Sequence, residues 1–213
     1  MKEEKLIEER ARLEKMRAYE RRYEGEFSLI CGIDEAGRGP LAGPVCAGAC
    51  ILKKDDEILY LNDSKKLSEK RREALFLEIK EKAVSWSVAF VDEKRIDEIN
   101  ILNATYEAMK KAIEGLSVKP DMLLIDAVHI PDIDIKQVSI VKGDAASVSI
   151  AAASILAKVS RDHFMMEMDE KYPGYGFSKH KGYGTKAHYE ALKKYGPSPI
   201  HRETFLKNLS EHT

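Results

Sequence analysis

Four carboxylates stand where apolar runs stop. Phe27-Ser28-Leu29-Ile30-Cys31-Gly32-Ile33 leads into the adjacent pair Asp34 and Glu35, Met122-Leu123-Leu124-Ile125 leads into Asp126, and Val138-Ser139-Ile140-Val141-Lys142-Gly143 leads into Asp144. Burying a carboxylate is expensive unless a cation compensates it. Four that converge repel one another if ionised, and divalent cations resolve that conflict. Hard oxygen donors with little nitrogen or sulfur suit Mg²⁺ or Mn²⁺. Two such ions, roughly 3.5–4 Å apart, form the device that drives in-line attack of water on a phosphodiester. Blander roles stay open for each acid: Asp126 can cap a strand end, and Asp144 can N-cap the helix after it. Asp121, Asp132, Asp134 and Asp162 suit surface or capping positions, Asp162 as part of a charged helix face beside Arg161. Successive strand residues point to opposite faces, so Asp34 and Glu35 share one site only if the strand ends or bends there.

The residues that follow the first pair are Ala36-Gly37-Arg38-Gly39-Pro40-Leu41-Ala42-Gly43-Pro44. They match neither a P-loop nor a dinucleotide fingerprint leading into a helix. Gly37 and Gly39 instead leave backbone bare for close approach by a ligand. The substrate side shows in the span 171–207, which holds eight Lys/Arg against two acids and five of the nine tyrosines. Interleaved bases and aromatics suit a nucleic acid, with phosphates paired and sugar or base faces stacked. His180-Lys181-Gly182-Tyr183-Gly184-Thr185 puts a tyrosine on a glycine-flexed loop, and Ser64-Lys65-Lys66 is a second candidate phosphate contact. A solvated basic face and a lysine-rich surface loop are the ordinary alternatives. His180 and His201 suit surface roles or phosphate contact.

The elements that must position these residues alternate between strand and helix patterns. Residues 27–33, 43–52, 84–91, 122–126 and 138–144 read as strands. Ser68 caps a helix from Glu69 to about Lys82, two helical stretches cover 93–99 and 102–116, a long helix begins at Ala145, and shorter ones cover 185–195 and 202–209. The small run Ala151-Ala152-Ala153-Ser154 predicts close packing of the long helix on the sheet. Together these indicate an α/β domain with a mixed central sheet flanked by helices. A length of 213 residues suits one well-buried domain. The division expected is a charged helical extension (1–25), a catalytic domain (26–170) and a basic C-terminal segment (171–213) completing the cleft of the same unit. A net charge of -1 leaves partners undetermined at the whole-chain level. Three cysteines in apolar runs argue against a disulfide framework. No leader or membrane-spanning run stands out, so a cytoplasmic, membrane-free monomer is the default.

Asp34-Glu35-Ala36-Gly37-Arg38-Gly39-Pro40-Leu41-Ala42-Gly43-Pro44-Val45 resembles the signature of bacterial ribonuclease HII, the type 2 ribonuclease H. The resemblance continues through Leu61–Ser68, Leu124–Asp126, Val141–Asp144, Ser149–Val159, Arg161-Asp162 and His180–Thr185. It implies a ribonuclease H-like fold, cleavage of RNA within RNA–DNA hybrids, and incision 5′ of single ribonucleotides in duplex DNA. It places Asp34, Glu35, Asp126 and Asp144 on the family's metal-binding acids. Gly37-Arg38-Gly39 falls on the segment that senses the 2′-hydroxyl, and Tyr183 on the tyrosine that stacks on the sugar beyond the junction. Ser64, Lys65, Lys66 and Lys181 are further candidate substrate contacts, on the residue types alone. Ala146 departs from the pattern, since many members carry Lys or Arg there. Two other classes fit the bare acids: a 3′→5′ exonuclease or phosphatase, and a nucleic-acid-binding module without turnover.

Overall fold

The computed structural model describes residues 2–207. A five-stranded sheet has the order β3-β2-β1-β4-β5. Strands β1 (Ile30–Ala36), β2 (Val45–Ile51) and β3 (Ser85–Val91) form an antiparallel meander. Strands β4 (Met122–Asp126) and β5 (Lys136–Ile140) join in parallel on the other side of β1. The expected mixed sheet is therefore present, with the acid-bearing strands β1 and β4 side by side at its centre.

β1 does not end at its acids. Its ladder with β4 stops at Ile33 opposite Ile125, while its ladder with β2 continues through Asp34, Glu35 and Ala36. Asp34 and Glu35 therefore occupy a stretch paired along one edge only. Residue parity then assigns faces. Cys31, Ile33, Leu123 and Ile125 pack on one side against α4 (Glu93–Glu114). The other side receives α3 (Glu69–Lys82) and α5 (Val148–Lys171). Asp34 and Asp126 share the α5 side, and Glu35 starts from the opposite one.

The long helix lies unusually close to the sheet. A Cβ on Gly32 would fall 2.0 Å from the Ser149 carbonyl carbon, and one on Gly48 would fall 2.3 Å from the Ala153 oxygen. Small residues on both partners allow that approach, as the Ala151–Ser154 run predicts. The helix begins later than its sequence suggests. Residues 143–145 form a tight 3₁₀ turn, and Ser147, not Asp144, caps α5 by accepting from the Ile150 amide at 3.2 Å. Asp144 is left with its carboxyl free of capping duty.

Other local readings hold. Ser68 caps α3. The pattern break between residues 99 and 102 is a kink at Asn100 (φ 67°), whose side chain accepts from the Leu102 and Asn103 amides and restarts the helix. The N-terminal residues form α1 (Lys2–Met16) and α2 (Ala18–Tyr23), with Leu13 and Met16 buried against α3 and α5. The C-terminal segment contributes α6 (Phe177–His180), α7 (Lys186–Tyr195) and α8 (Glu203–Leu206). α6 lies in a stretch whose Gly and Tyr content predicts a loop, and the last residues of the expected final helix fall outside the described residues. Cys31, Cys46 and Cys50 are buried free thiols.

Candidate functional site

Asp34 is 5% exposed. Burial, and then the charges of Glu35 and Asp126, push its carboxyl well above the usual range. A hydrogen bond from Ser154 on α5 and one from the Glu35 amide (2.7 Å) work against that rise. Burial raises Glu35 as well. Arg38, whose Nη1 lies 3.5 Å from Glu35 Oε1, opposes this, and Asp126 adds to it. Asp144 is pushed up to about 6 by burial and by the neighbouring Asp63 and Asp126. Asp126 is fixed by the chain next to Asp144: its Oδ1 accepts from the Gly143 amide at 2.6 Å. The four predicted acids thus form one electrostatic unit, reached by two cations, Arg38 and Lys65.

Such a cluster is short of positive charge, and its donors are all carboxylate oxygens. The donor set therefore suits a hard divalent cation. The cage is open: among the described residues no three His, Cys, Asp or Glu side chains already stand at metal-binding spacing. Asp34, Glu35, Asp126 and Asp144 would hold the ion.

The 61–68 loop reaches the same unit differently from its sequence reading. Ser64 does not face solvent; it is 3% exposed and hydrogen-bonded to Ser154, the residue that also bonds Asp34. Lys65 and Lys66 are exposed, Lys65 toward the acids and Lys66 at 3.9 Å from Asp63. Asp63 starts the turn by accepting from the Lys65 amide, and its carboxyl hydrogen-bonds that of Asp144.

The glycine-rich loop is held from behind by two buried arginines. Arg202 donates to the carbonyls of Gly37 (2.6 Å), Arg38 (2.9 Å) and Gly43 (2.7 and 2.9 Å). Arg161 donates to those of Ala42 (3.0 Å), Pro44 (2.9 Å) and Lys181 (2.9 Å). Burial lowers both guanidinium pKa values, that of Arg202 to about 9, with repulsion from Arg161 adding to it. A fork of fixed N–H groups suits several carbonyls in a way that an ammonium does not. Gly37 has φ +92°, and a Cβ there would strike Arg161 Nε at 2.0 Å. Its glycine answers to this packing, not to an approaching ligand. Gly39 is exposed, and a Cβ there would meet nothing nearer than the Tyr183 ring, at 3.9 Å. Arg38 is exposed beside it.

Tyr183 has its own support. Ser198 N–H donates to His201 Nδ1 (2.8 Å), so His201 carries its proton on Nε2. That proton goes to His188 Nε2 (3.0 Å), and His188 Nδ1–H donates to the Tyr183 carbonyl (2.9 Å). Burial lowers both imidazoles to about 4. The expectation of a surface His201 is therefore corrected: it is 4% exposed and part of a neutral relay. Lys181 turns its ammonium onto the Ser178 carbonyl within the same loop. Asp162 is buried and paired with Lys158 at 2.6 Å, not part of an open charged face.

The model of the family described as Ribonuclease HII matches residues 31–208. The chain belongs to the ribonuclease HII family. A ribonuclease HII of Lachnoclostridium phytofermentans is 61% identical over 207 residues, covering 97% of this chain and 81% of that one. One from Clostridioides difficile is 58% identical, covering 96% and 80%. Among solved structures, the ribonuclease H2 of Pyrococcus horikoshii superposes with a TM-score of 0.69 at 29% identity, covering 86% of this chain and 97% of that one. The Archaeoglobus fulgidus RNase HII, solved in complex with PCNA, gives 0.68 at 28% identity and covers 82% and 94%. The fold is thus ribonuclease H-like, and the chain is a metal-dependent nuclease of the hydrolase class. Among the described residues no helix is long and apolar enough to cross a membrane.

Sequence reasoning read Ser154 only as a small packing residue and Arg161 only as part of a charged helix face, and it gave Asp63 and Arg202 no part in the site. Arg161 left a usable signal, because Ser154, Ala157, Arg161 and Met165 recur at helical spacing on the buried face of α5. Arg202 left none, since its partners are backbone carbonyls some 160 residues earlier in the chain.

Proposed function

We propose that the chain cleaves the RNA strand of RNA–DNA hybrids and incises 5′ of single ribonucleotides embedded in duplex DNA. The products carry 5′-phosphate and 3′-hydroxyl ends, and the biological use is removal of ribonucleotides and RNA primers from DNA. One observation supports this reading: the acid pair Asp34-Glu35 at the end of β1 runs directly into the Gly37–Gly39 loop, beside which Tyr183 stands. Arg38 lies 3.5 Å from Glu35, and the Cβ position of Gly39 lies 3.9 Å from the Tyr183 ring. A sugar set on the Tyr183 ring beside Gly39 would bring its 2′-hydroxyl, the group that separates RNA from DNA, against the Gly37–Gly39 backbone.

In this reading Asp34, Glu35, Asp126 and Asp144 hold two divalent ions, Mg²⁺ or Mn²⁺. When bound, these ions activate water and stabilise the departing 3′-oxygen. Asp126, the neighbour common to Asp34, Glu35 and Asp144, would tie the four carboxylates into one ligand set, with Asp34 its most deeply buried member. Ser154 orients Asp34, and Gly143 orients Asp126. Lys65 and Lys66 attract phosphate, Tyr183 stacks on the sugar beyond the junction, and Lys181 and Ser64 shape the two flanking loops. Arg161 and Arg202 hold the reading loop in shape before substrate arrives.

The test is an end-blocked duplex DNA with one ribonucleotide, incubated with Mg²⁺ and with Mn²⁺. The expected product is a single cut 5′ of the ribonucleotide. Degradation only of an unblocked duplex, from its ends, would indicate an exonuclease. Binding that EDTA leaves unchanged, without turnover in either metal, would indicate a binding module.

A further inference from the structure

The N-terminal helices touch two segments that flank the acids. Glu20 on α2 reaches the start of α5, where its Oε1 accepts from the Ser147 hydroxyl (2.6 Å) and from the Ser149 amide (3.0 Å). Ser147 in turn caps the Ile150 amide, and its own amide donates to the Gly143 carbonyl at 2.8 Å. Gly143 is the residue between Lys142 and Asp144, and its amide binds Asp126. An unbroken run of hydrogen bonds therefore leads from Glu20 to the turn that carries Asp144. α5 has its first free amides satisfied by two different segments, Ile150 by the local Ser147 and Ser149 by the distant Glu20.

The same helices grip the chain that leads to Asp63. Arg17, buried between α1 and α2, donates to the carbonyls of Lys54 and Asp56. Arg12 donates to the Leu61 carbonyl at 2.6 Å, and Glu9 accepts from the Tyr60 amide at 2.7 Å. Asp63 and Asp144 meet across the gap between these two held segments.

We propose that Glu20 is a positioning residue for Asp144, and that α1 and α2 act as a clamp setting the spacing between the Asp144 turn and the Asp63 loop. The clamp touches neither substrate nor reacting atoms; it acts by keeping the metal-facing carboxylate where a cation can use it. A loss of either hydrogen bond to Glu20 frees the α5 entry, and with it the 3₁₀ turn. Glutamine at position 20 keeps an oxygen that accepts both bonds, whereas alanine keeps neither. This inference rests on the assignment of Asp144 to the metal site.

The experiment uses the full chain, stripped of metal, with Mn²⁺ binding measured by titration calorimetry in the absence of substrate. Glu20→Ala is expected to weaken Mn²⁺ five- to tenfold, and Glu20→Gln to return it to within twofold of wild type. Affinity for a hybrid, measured with EDTA present, should stay within twofold in both. An alanine variant that binds Mn²⁺ as tightly as wild type overturns the proposal, as does a glutamine variant as weak as the alanine one. If Glu20→Ala loses its cooperative unfolding transition, Glu20→Asp takes its place, because the shorter side chain cannot span both donors. It should show the same loss, and wild-type binding by it overturns the proposal equally. Asp144→Asn separates the two levels. If Asp144→Asn keeps full Mn²⁺ affinity, the metal-site assignment itself fails; if it loses affinity while Glu20→Ala does not, only the clamp fails.

Discussion

Asp34 is enclosed by protein and still faces two other carboxylates, so its charge is tolerable only when a cation shares it. Removing that charge should remove the chemistry. Asp34→Asn is expected to abolish cleavage while leaving hybrid affinity largely intact. A steady-state rate within about tenfold of wild type, only ~1.4 kcal/mol of barrier, would contradict its central role. The neighbouring Asp144 gives a test in the metal-free protein. Its folded-state pKa is raised to about 6 from an ordinary 3.8, so ionisation costs stability above pH 6 and costs none below about 4. Asp144→Asn should therefore raise the melting temperature of the metal-free chain at pH 7. That advantage should shrink as pH falls from 7 to 4.5; thermal melts in EDTA showing it widen would refute the sign. The acids were legible because each ends an apolar run. Gly37 was misleading, since a glycine facing a ligand and a glycine facing a buried guanidinium look alike in a sequence.

At the scale of elements, the packing of α5 on the sheet fixes Ser154 against Asp34 and starts the helix beside Asp144. Gly48→Ala places a methyl 2.3 Å from the Ala153 oxygen, in backbone that cannot swing aside. Overpacking of this kind is expected to cost about 3 kcal/mol, or roughly 6–12 °C of melting temperature in a chain of this size, readable by calorimetry. The imidazole relay behind Tyr183 should respond to acid. Both rings are lowered to about 4 from an ordinary 6.5, so the unfolded segment binds protons more readily, and stability here is lost as pH falls from about 6.5 to 4. Once charged, His201 and His188 would present two N–H groups to each other, and the bond to the Tyr183 carbonyl would no longer be backed by a partner ring. Hydrogen exchange at the Ser198 and His188 amides, corrected for intrinsic rates, should quicken between pH 7 and pH 5; equal protection at both would refute it. The Ser68 cap was readable because its signal is local. Ser147 was obscured by Asp144, an equally good capping residue three positions earlier, which the 3₁₀ turn directs toward the other acids instead.

For the molecule as a whole, the basic C-terminal segment is joined to the acid cluster through the glycine-rich loop that Arg202 holds. Lys186 and Lys193 flank a shallow groove with Gly184 and Tyr189 beside the reading loop. Replacing both by alanine in the Asp34→Asn background should flatten the slope of log affinity against log salt by roughly 0.7–0.9 for each phosphate no longer neutralised. Fluorescence anisotropy on a hybrid measures this, and an unchanged slope would place the duplex elsewhere. The sheet and the basic segment could be foreseen because period and charge are properties of neighbouring residues; the strand ends could not, since β1 runs on through Asp34–Ala36 and β5 stops at Ile140, four residues before Asp144. What joins them could not, because Arg161 and Arg202 direct their donors to carbonyls, which every residue has and no sequence distinguishes. The Arg202 clamp also has a consequence in time. A chain is synthesised from its N-terminus, and domains fold as they emerge. A chain grown as far as Tyr195 already has all four acids and Arg161, but the carbonyls of Gly37, Arg38 and Gly43 still lack their Arg202 donors. On the function proposed above, the order of synthesis lets the chain tell ribose from deoxyribose only after Arg202 has emerged.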